Sequence, residues 1–299
     1  MVSSNCKLDL SLGQMVIRGE EVRKVNLSEV SVLIIESTAV SVTAMLLCEL
    51  TRRKIKVVFC DERHNPYGEL EPYYGSHDSP SKLREQVKWT EHAKQTVWAE
   101  IVREKISKQA DLLACFDYER ASMLRGYSEE VQPGDSTNRE GHAAKVYFNS
   151  LFGVGFTRKK ECATNVHLNY GYSILLSAVN REIVSLGYST QLGMHHDNTF
   201  NQFNLGSDIM EPLRPMVDSM VLDMPEEVTI GSKHEMANIL NHVVEINGKH
   251  QYLNNAMGIY VKSVTDALDA DDVGKLRFCQ YERKGDEADC VLRPAGDDG

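Results

Sequence analysis

Residues 75–113 read GSHDSPSKLREQVKWTEHAKQTVWAEIVREKISKQADLL, and the hydrophobic period changes within them. The first seven, Gly75 to Ser81, are small and polar around a proline, the composition of a boundary between domains. From Lys82 onward, Val87, Val97, Ile101 and Ile106 recur at helical spacing, and the pattern runs through Leu113. Upstream the period is shorter. Leu8, Leu10 and Leu12 alternate with polar residues as in a half-buried strand, and short apolar runs follow at Val25–Leu27, Val32–Ile35 and Ile55–Phe59. Ser41–Arg52 is the helical exception, with Ala44, Leu47 and Leu50 on one face, and Asn65-Pro66-Tyr67-Gly68 has the residues of a tight turn.

Downstream, helices are expected near 141–152, 168–186, 209–222, 233–247 and 251–268, with Gly187 as a C-terminal stop for the second. The chain therefore reads as α+β, strand-rich over 1–76 and helical over 82–281. A polar tail over 282–299, with Gly and Pro, is expected to be flexible.

Composition narrows the class. With 299 residues, 42% hydrophobic and 25% charged, this is an ordinary globular chain long enough for one large core or two smaller ones. No run of about 18 apolar residues exists, so no membrane span is expected. The opening MVSSNCKLDL lacks the basic and then apolar character of a secretory signal. Seven scattered cysteines, never as C-x-x-C, read as free thiols in a reducing cytoplasm rather than as a disulfide frame or zinc site. The net charge of −10 argues against nucleic acid on its face, yet the distribution weakens that argument. Ten acids and five bases fall between Ser263 and Gly299, and the body keeps Arg52-Arg53-Lys54, Lys56 and Arg158-Lys159-Lys160.

Chemistry concentrates in 195–215, HHDNTFNQFNLGSDIMEPLRP, which sets imidazoles beside Asp208 and Glu211; Glu140 stands upstream in NREGHAAKVYF. Carboxylates with one imidazole suit a hard or borderline divalent cation, which can activate an oxygen nucleophile and neutralise charge on phosphate. Each residue also has a plainer reading. Thr137-Asn138-Arg139-Glu140 fits a capping box, although Glu140 is in phase with Ala143, Ala144, Tyr147 and Leu151, the inward face. Asp208 and Glu211 share a helix face, and Glu211 lies opposite the stripe of Ile209, Leu213, Met216 and Met220, where a solvated face explains it as well as a cleft. Pro212 and Pro215 remove backbone donors there and bend the helix. His195 and His196 are adjacent, so at most one would reach a given ion. His64, His142 and His167 form no ligand spacing, and Tyr170 and Tyr172 suit helix packing or base stacking.

Four stretches carry a resemblance: IKVVFCDERHNPYGELEPYYG, NREGHAAKVYFNSLFG, LNYGYSILLSAVNREIVSLGY and LGMHHDNTFNQFNLGSDIMEPLRP. Through them the chain resembles the CRISPR-associated integrase of spacer acquisition, in the short form found in type II systems. The resemblance implies an N-terminal β-sandwich-like dimerisation domain followed by a larger all-α catalytic domain. It also implies a metal-binding triad. The glutamate of R-E-x-x-A-x-x-Y/F falls on Glu140, the histidine on His196 by its spacing to D-h-M-E with His195 as fallback, and the acid of D-h-M-E on Glu211. Asp208 matches an acidic position lining the site and is a fourth candidate ligand. The capping box becomes secondary for Glu140.

The implied activity is metal-dependent transesterification, in which 3′-hydroxyls of captured DNA attack phosphodiesters at the leader-proximal repeat, with Mg²⁺ or Mn²⁺ as cofactor. The implied partners are double-stranded DNA, a second copy of the chain, a small ferredoxin-fold CRISPR-associated subunit and other type II adaptation proteins. Backbone contacts to DNA are expected from Arg139, Lys145, Arg158, Lys159 and Arg181. The acidic tail and overall acidity depart from a DNA enzyme's usual balance. Two other readings use the same residues: a metal-dependent endonuclease on branched DNA, with water as nucleophile, and a non-catalytic DNA-binding scaffold whose carboxylates are caps.

Overall fold

A computed structural model describes residues 1–62, 66–73, 76 and 78–281. Asn65 of the expected turn, Gly75 and His77 of the polar segment, and the tail over 282–299 lie outside the described residues.

The N-terminal part holds two sheets. Strands β1 (Lys7–Ser11), β2 (Gln14–Arg18) and β3 (Val22–Asn26) form an antiparallel meander, to whose β1 edge the short β5 (Ser41–Val42) adds in parallel. Strand β4 (Val32–Ile35) lies parallel to β6 (Lys56–Cys60), and β7 (Pro66–Leu70) pairs antiparallel to β6. The helix α1 (Ala44–Arg52) is capped by Thr43, whose hydroxyl accepts from the Leu46 amide. Leu8, Met15, Leu33, Ile35, Leu46, Leu50 and Val57 from both sheets and α1 close one core. The alternate residues Ile34, Val58 and Cys60 face the other way, into the helical core. Burial on both faces explains why β4 and β6 read as continuous apolar runs rather than alternating ones. The two cores therefore share a sheet, although the polar segment separates them along the chain.

The helical part is organised on α3 (Glu91–Ala114), 24 residues long and about 36 Å end to end. Trp98, Ile101, Ile106 and Leu113 on it are wholly buried in the helical core. Around it pack α4 (Tyr118–Glu129), α5 (Arg139–Phe152), α8 (Arg214–Val221) and α10 (Leu253–Ala270), while α6 (Ala163–Ser185) joins α7 (Asn204–Met210), α8, α9 (Ile230–Ala237) and α10. Among the described residues no helix is long and apolar enough to cross a membrane. Cys6, Cys48, Cys60, Cys162 and Cys279 are free thiols.

Four expectations are corrected. The pattern from Lys82 to Leu113 is two helices, α2 (Ser79–Val87) and α3, because Thr90 turns out of the helix to cap α3 through the Ala93 amide. α4 was not anticipated. The helix expected over 209–222 is interrupted by a 3₁₀ turn at Glu211–Leu213, where Pro212 has no amide to donate. The helix expected over 233–247 ends at Ala237 and gives way to a hairpin of β8 (Val243–Ile246) and β9 (Lys249–Tyr252). Asn247 and Gly248 between those strands both have positive φ, 54° and 70°, the pair a two-residue hairpin turn requires.

Gly171 marks where α6 approaches its neighbours most tightly: a Cβ there would lie 2.6 Å from both Met236 Sδ and Val217 Cγ1. Gly171→Ala is expected to cost about 1–3 kcal/mol by overpacking. In urea unfolding, the double variant with Val217→Ala should lose less than the sum of the two single losses; strict additivity would show that the contact does not limit the packing.

Candidate active site

Three separate elements converge beside the middle of α3. Lys105 lies on that helix in phase with Val97 and Ile101, so its side chain enters the core and only 8% of it remains exposed. Its Nζ meets Glu140 Oε1 at 2.5 Å and Glu211 Oε2 at 2.5 Å. Glu140 sits in the first turn of α5. The expected capping box is not formed: Asn138 makes no cap bond, and Asp135 accepts from the Arg139 and Glu140 amides instead, at 2.8 and 3.0 Å. The Glu140 side chain is thus free to reach inward. Glu211 stands at the break between α7 and α8 and is 2% exposed, not on a solvated face.

Burial opposes every charge in this pocket, and the charges sustain one another against it. It works against the Lys105 ammonium, but Glu211 and Glu140 outweigh it and hold Lys105 above the ordinary lysine value. Burial likewise works against the Glu211 carboxylate. Arg214, whose Nη2 lies 2.9 Å from Glu211 Oε1, and Lys105 outweigh it and bring the carboxyl below its usual range. Lys105 Nζ, 2.5 Å from Glu211 Oε2, supplies that buried oxygen with its counter-charge.

His196 comes from the loop between α6 and α7, and Asp208 shapes that loop. The Asp208 carboxylate, fully buried, accepts from the amides of Met194 (2.7 Å), His195 (3.1 Å) and His196 (3.0 Å), three consecutive N–H groups wrapped round one anion. Its Oδ1 also meets His196 Nδ1 at 2.6 Å. That hydrogen bond raises the His196 pKa above its ordinary value against the opposing effect of burial, and the charges of Glu211 and Glu140 add to it. The wrap is tight at Gly193, where a Cβ would lie 2.3 Å from the His196 carbonyl oxygen and 2.8 Å from Asp208 Oδ2. Two amides clamp the rest of the loop. Gln86 donates to the carbonyls of Ser189 and Leu192, and Asn204 donates to those of Gln191 and Asn198.

The adjacent histidines part company. The His195 ring stacks on Trp98, with centroids 4.2 Å apart and planes 6° from parallel; the His196 ring stands at 90° to it. Asp208 accepts from three backbone amides and meets the His196 ring nitrogen, and so orients His196.

Among the described residues no three His, Cys, Asp or Glu side chains stand close enough together to hold one ion as they lie. The residues nevertheless suit one. Two carboxylates from different elements already converge on a single cation, and an imidazole has its Nδ1 fixed by a carboxylate. Oxygens with one oriented imidazole are the donor set for Mg²⁺ or Mn²⁺.

On the face of α5 turned away from Lys105, a cleft of about 580 Å³ opens between α4 and α5, lined by Arg120, Tyr127, Arg139, His142 and Lys145 with no acid among its lining residues. Arg139 lies over the Tyr127 ring and pairs with Glu130 at 2.7 Å. Lys145 and Lys159 are exposed. Two of the expected DNA contacts are committed elsewhere. Arg158 bonds Asn165 and Asn169 and lies over the buried Tyr172, and Arg181 ties Glu182 and Asn254 to the Ser31 carbonyl of the N-terminal part. Tyr172 donates to Asp218, a buried carboxyl that burial pushes up to about 6; Tyr170 packs against Met1. Neither tyrosine is free to stack on a base.

Sequence reasoning missed Lys105, Arg214, Trp98, Gln86 and Asn204. Lys105 had left a signal, a cation continuing the apolar i, i+4 stripe of Val97 and Ile101.

A family model described as CRISPR associated protein Cas1 matches residues 1–255. The chain belongs to the Cas1 family. It is 33% identical over 298 residues to a CRISPR-associated endonuclease Cas1 of Neisseria meningitidis serogroup C, covering 94% of this chain and 98% of the relative. A Cas1 of Francisella tularensis subsp. novicida is 26% identical over 243 residues, 74% of this chain and 76% of that one. Solved structures share the fold. A Cas1 protein from Thermotoga maritima superposes with a TM-score of 0.70 at 18% identity, covering 90% of this chain and 96% of its own. A casposase bound to integration product gives 0.76 at 18% identity, covering 94% and 93%. The chain spans 36% of a longer chain in a Cas6-RT-Cas1–Cas2 complex, with a TM-score of 0.74 at 15% identity. Family membership makes this a CRISPR-associated protein of the endonuclease and integrase class, and the strand-rich region followed by a helical domain is the Cas1 arrangement.

If Asp208 sets the His196 ring, Asp208→Asn should lower the His196 pKa, because the acceptor that raises it is weakened. Following ring resonances by NMR against pH, with His196→Gln used for assignment, checks this; an unchanged midpoint would dissociate the two residues.

Proposed function

We propose that the chain joins 3′-hydroxyl ends of captured DNA to the leader-proximal repeat by metal-dependent transesterification. The observation that carries this reading is the convergence of Glu140 and Glu211 on one cation, with the Asp208-oriented His196 near enough for both of their charges to act on it. Glu140 and Glu211 would hold the ion through oxygen and His196 through Nε2, its Nδ1 being engaged by Asp208. A divalent ion there would supply Lewis acidity, lowering the cost of ionising the attacking hydroxyl and neutralising charge that develops on phosphorus.

The protein's own groups do the rest. Asp208 fixes the ring through Nδ1, which leaves Nε2 as the nitrogen for ligation. Gly193 lets the loop close over Asp208, and Gln86 and Asn204 keep it from drifting, which matters because small displacements of a reacting group are costly in rate. Arg139, Lys145 and Lys159 would take backbone phosphates, which suits captured sequences that vary. In the reaction one phosphodiester bond forms to the incoming 3′-oxygen and one breaks to release a 3′-hydroxyl of the repeat strand. The number of phosphodiesters is unchanged, and no nucleotide hydrolysis is needed. Insertion of both ends of a duplex calls for two such sites, which supports a dimer working with a small ferredoxin-fold subunit. The Cas1-containing neighbour assembled with a Cas2 is in keeping with that.

The test is strand joining by the full chain with its partner subunit, labelled duplex bearing 3′-hydroxyls, a supercoiled repeat plasmid and Mg²⁺ or Mn²⁺. Label should pass to the plasmid with the wild type and fall at least a hundredfold with folded Glu140→Ala or His196→Ala. Nicking without transfer would make the chain a nuclease. Unchanged transfer in both variants would overturn the site.

A further inference from the structure

Lys105 Nζ is 2.5 Å from an oxygen of Glu140 and 2.5 Å from an oxygen of Glu211, in a pocket where its own side chain is 8% exposed and that of Glu211 is 3% exposed. We propose that Lys105 is the resident counter-ion of the site: it holds the two carboxylates together without metal and sets metal affinity by competing for their oxygens. This rests on the reading of Glu140 and Glu211 as ligands.

The competition follows from space. A Mg²⁺ or Mn²⁺ ion binds carboxylate oxygen at about 2.0–2.2 Å. An ion that took both Glu140 Oε1 and Glu211 Oε2 would compete with the Lys105 ammonium for the same two oxygens, and the two like charges would repel. The ammonium has to withdraw before the ion takes both oxygens. Nearby cations cannot stand in for it. Lys108, one turn on, donates to the Cys279 carbonyl at 2.5 Å and pairs with Glu104, and Arg214 already occupies the other oxygen of Glu211 at 2.9 Å.

The consequence is a pair of effects of opposite sign. Replacing Lys105 with a neutral side chain leaves two carboxylates short of a counter-charge, which lowers the stability of the metal-free fold. The same change removes the ion's competitor, which raises metal affinity, and the bound ion then returns stability by mass action. A lysine that only supported the pocket's shape would show both falling together. Arg214 keeps Glu211 partly compensated in the variant, so the fold has a counter-charge to rely on.

The experiment is a calorimetric titration of Mn²⁺, without DNA, into the metal-stripped full chain and its Lys105→Met, Lys105→Arg and Glu140→Ala variants, with thermal melts of each. The expected result is Mn²⁺ binding roughly tenfold tighter in Lys105→Met, a lower metal-free melting temperature, and a larger rise on adding Mn²⁺ than the wild type shows. Lys105→Arg, which keeps the charge, should bind no more tightly than the wild type. If Lys105→Met does not fold without metal, Lys105→Gln replaces it with the same expectations.

Equal or weaker Mn²⁺ binding by the folded neutral variant overturns the inference. If Glu140→Ala weakens binding while Lys105→Met fails to tighten it, only the role of Lys105 falls. If Glu140→Ala leaves binding untouched, the ligand assignment falls with it. Absence of Mn²⁺ binding in both the wild type and Lys105→Met also overturns the proposal, whereas binding that appears only in Lys105→Met supports it.

Discussion

Two carboxylates inside a protein repel one another and give up their hydration, and they stay ionised only where a cation stands between them. In this chain Lys105 meets that requirement for Glu140 and Glu211, and much of the surrounding structure serves the contact. α3 must be packed on most of its sides to carry a lysine into the core, α5 must begin where Glu140 can reach that lysine, and the α7–α8 junction must break where Glu211 can face both. Removing either carboxylate would leave a buried charge short of its partner, which is the expensive way to break such a pair.

The His196 loop obeys a second constraint, the need of a buried anion for donors. Asp208 has no exposure, and it satisfies itself with three consecutive amides and one imidazole rather than with a cation. That choice fixes the direction of His196 and separates it from His195, which lies flat on Trp98. Adjacent residues with the same side chain thus have different work, decided by which neighbour each ring meets.

Much of this was legible in the sequence, for reasons that differ by element. The change of period at residues 75–82 marks the change from sheets to helices because one face of each element must be apolar. α5, α6 and most of α10 show through as stripes. α4 hid because only Ala121 and Leu124 on it are buried, too few to make a stripe. The β8–β9 hairpin hid because Lys233 to Ile246 carries an apolar residue every three or four positions, although Asn247-Gly248 announced the turn. At the site, the carboxylates and imidazole stood out as chemistry, and the family resemblance chose among them. Their geometry did not stand out. A sequence shows that Glu140 is in phase with an apolar face, but not that Asp135 frees it from capping, nor that Lys105, 35 positions earlier, waits at that face.

The central claim is that Glu140, Glu211 and His196 form one divalent-cation site with His196 as its only nitrogen ligand. Electron spin-echo spectroscopy of Mn²⁺ bound to the full chain tests it most directly, because imidazole nitrogen coupled to the ion modulates the echo at characteristic frequencies. The account predicts nitrogen modulation in the wild type and in His195→Ala, and its loss in His196→Ala. Modulation that survives His196→Ala, or that vanishes with His195→Ala, would contradict it.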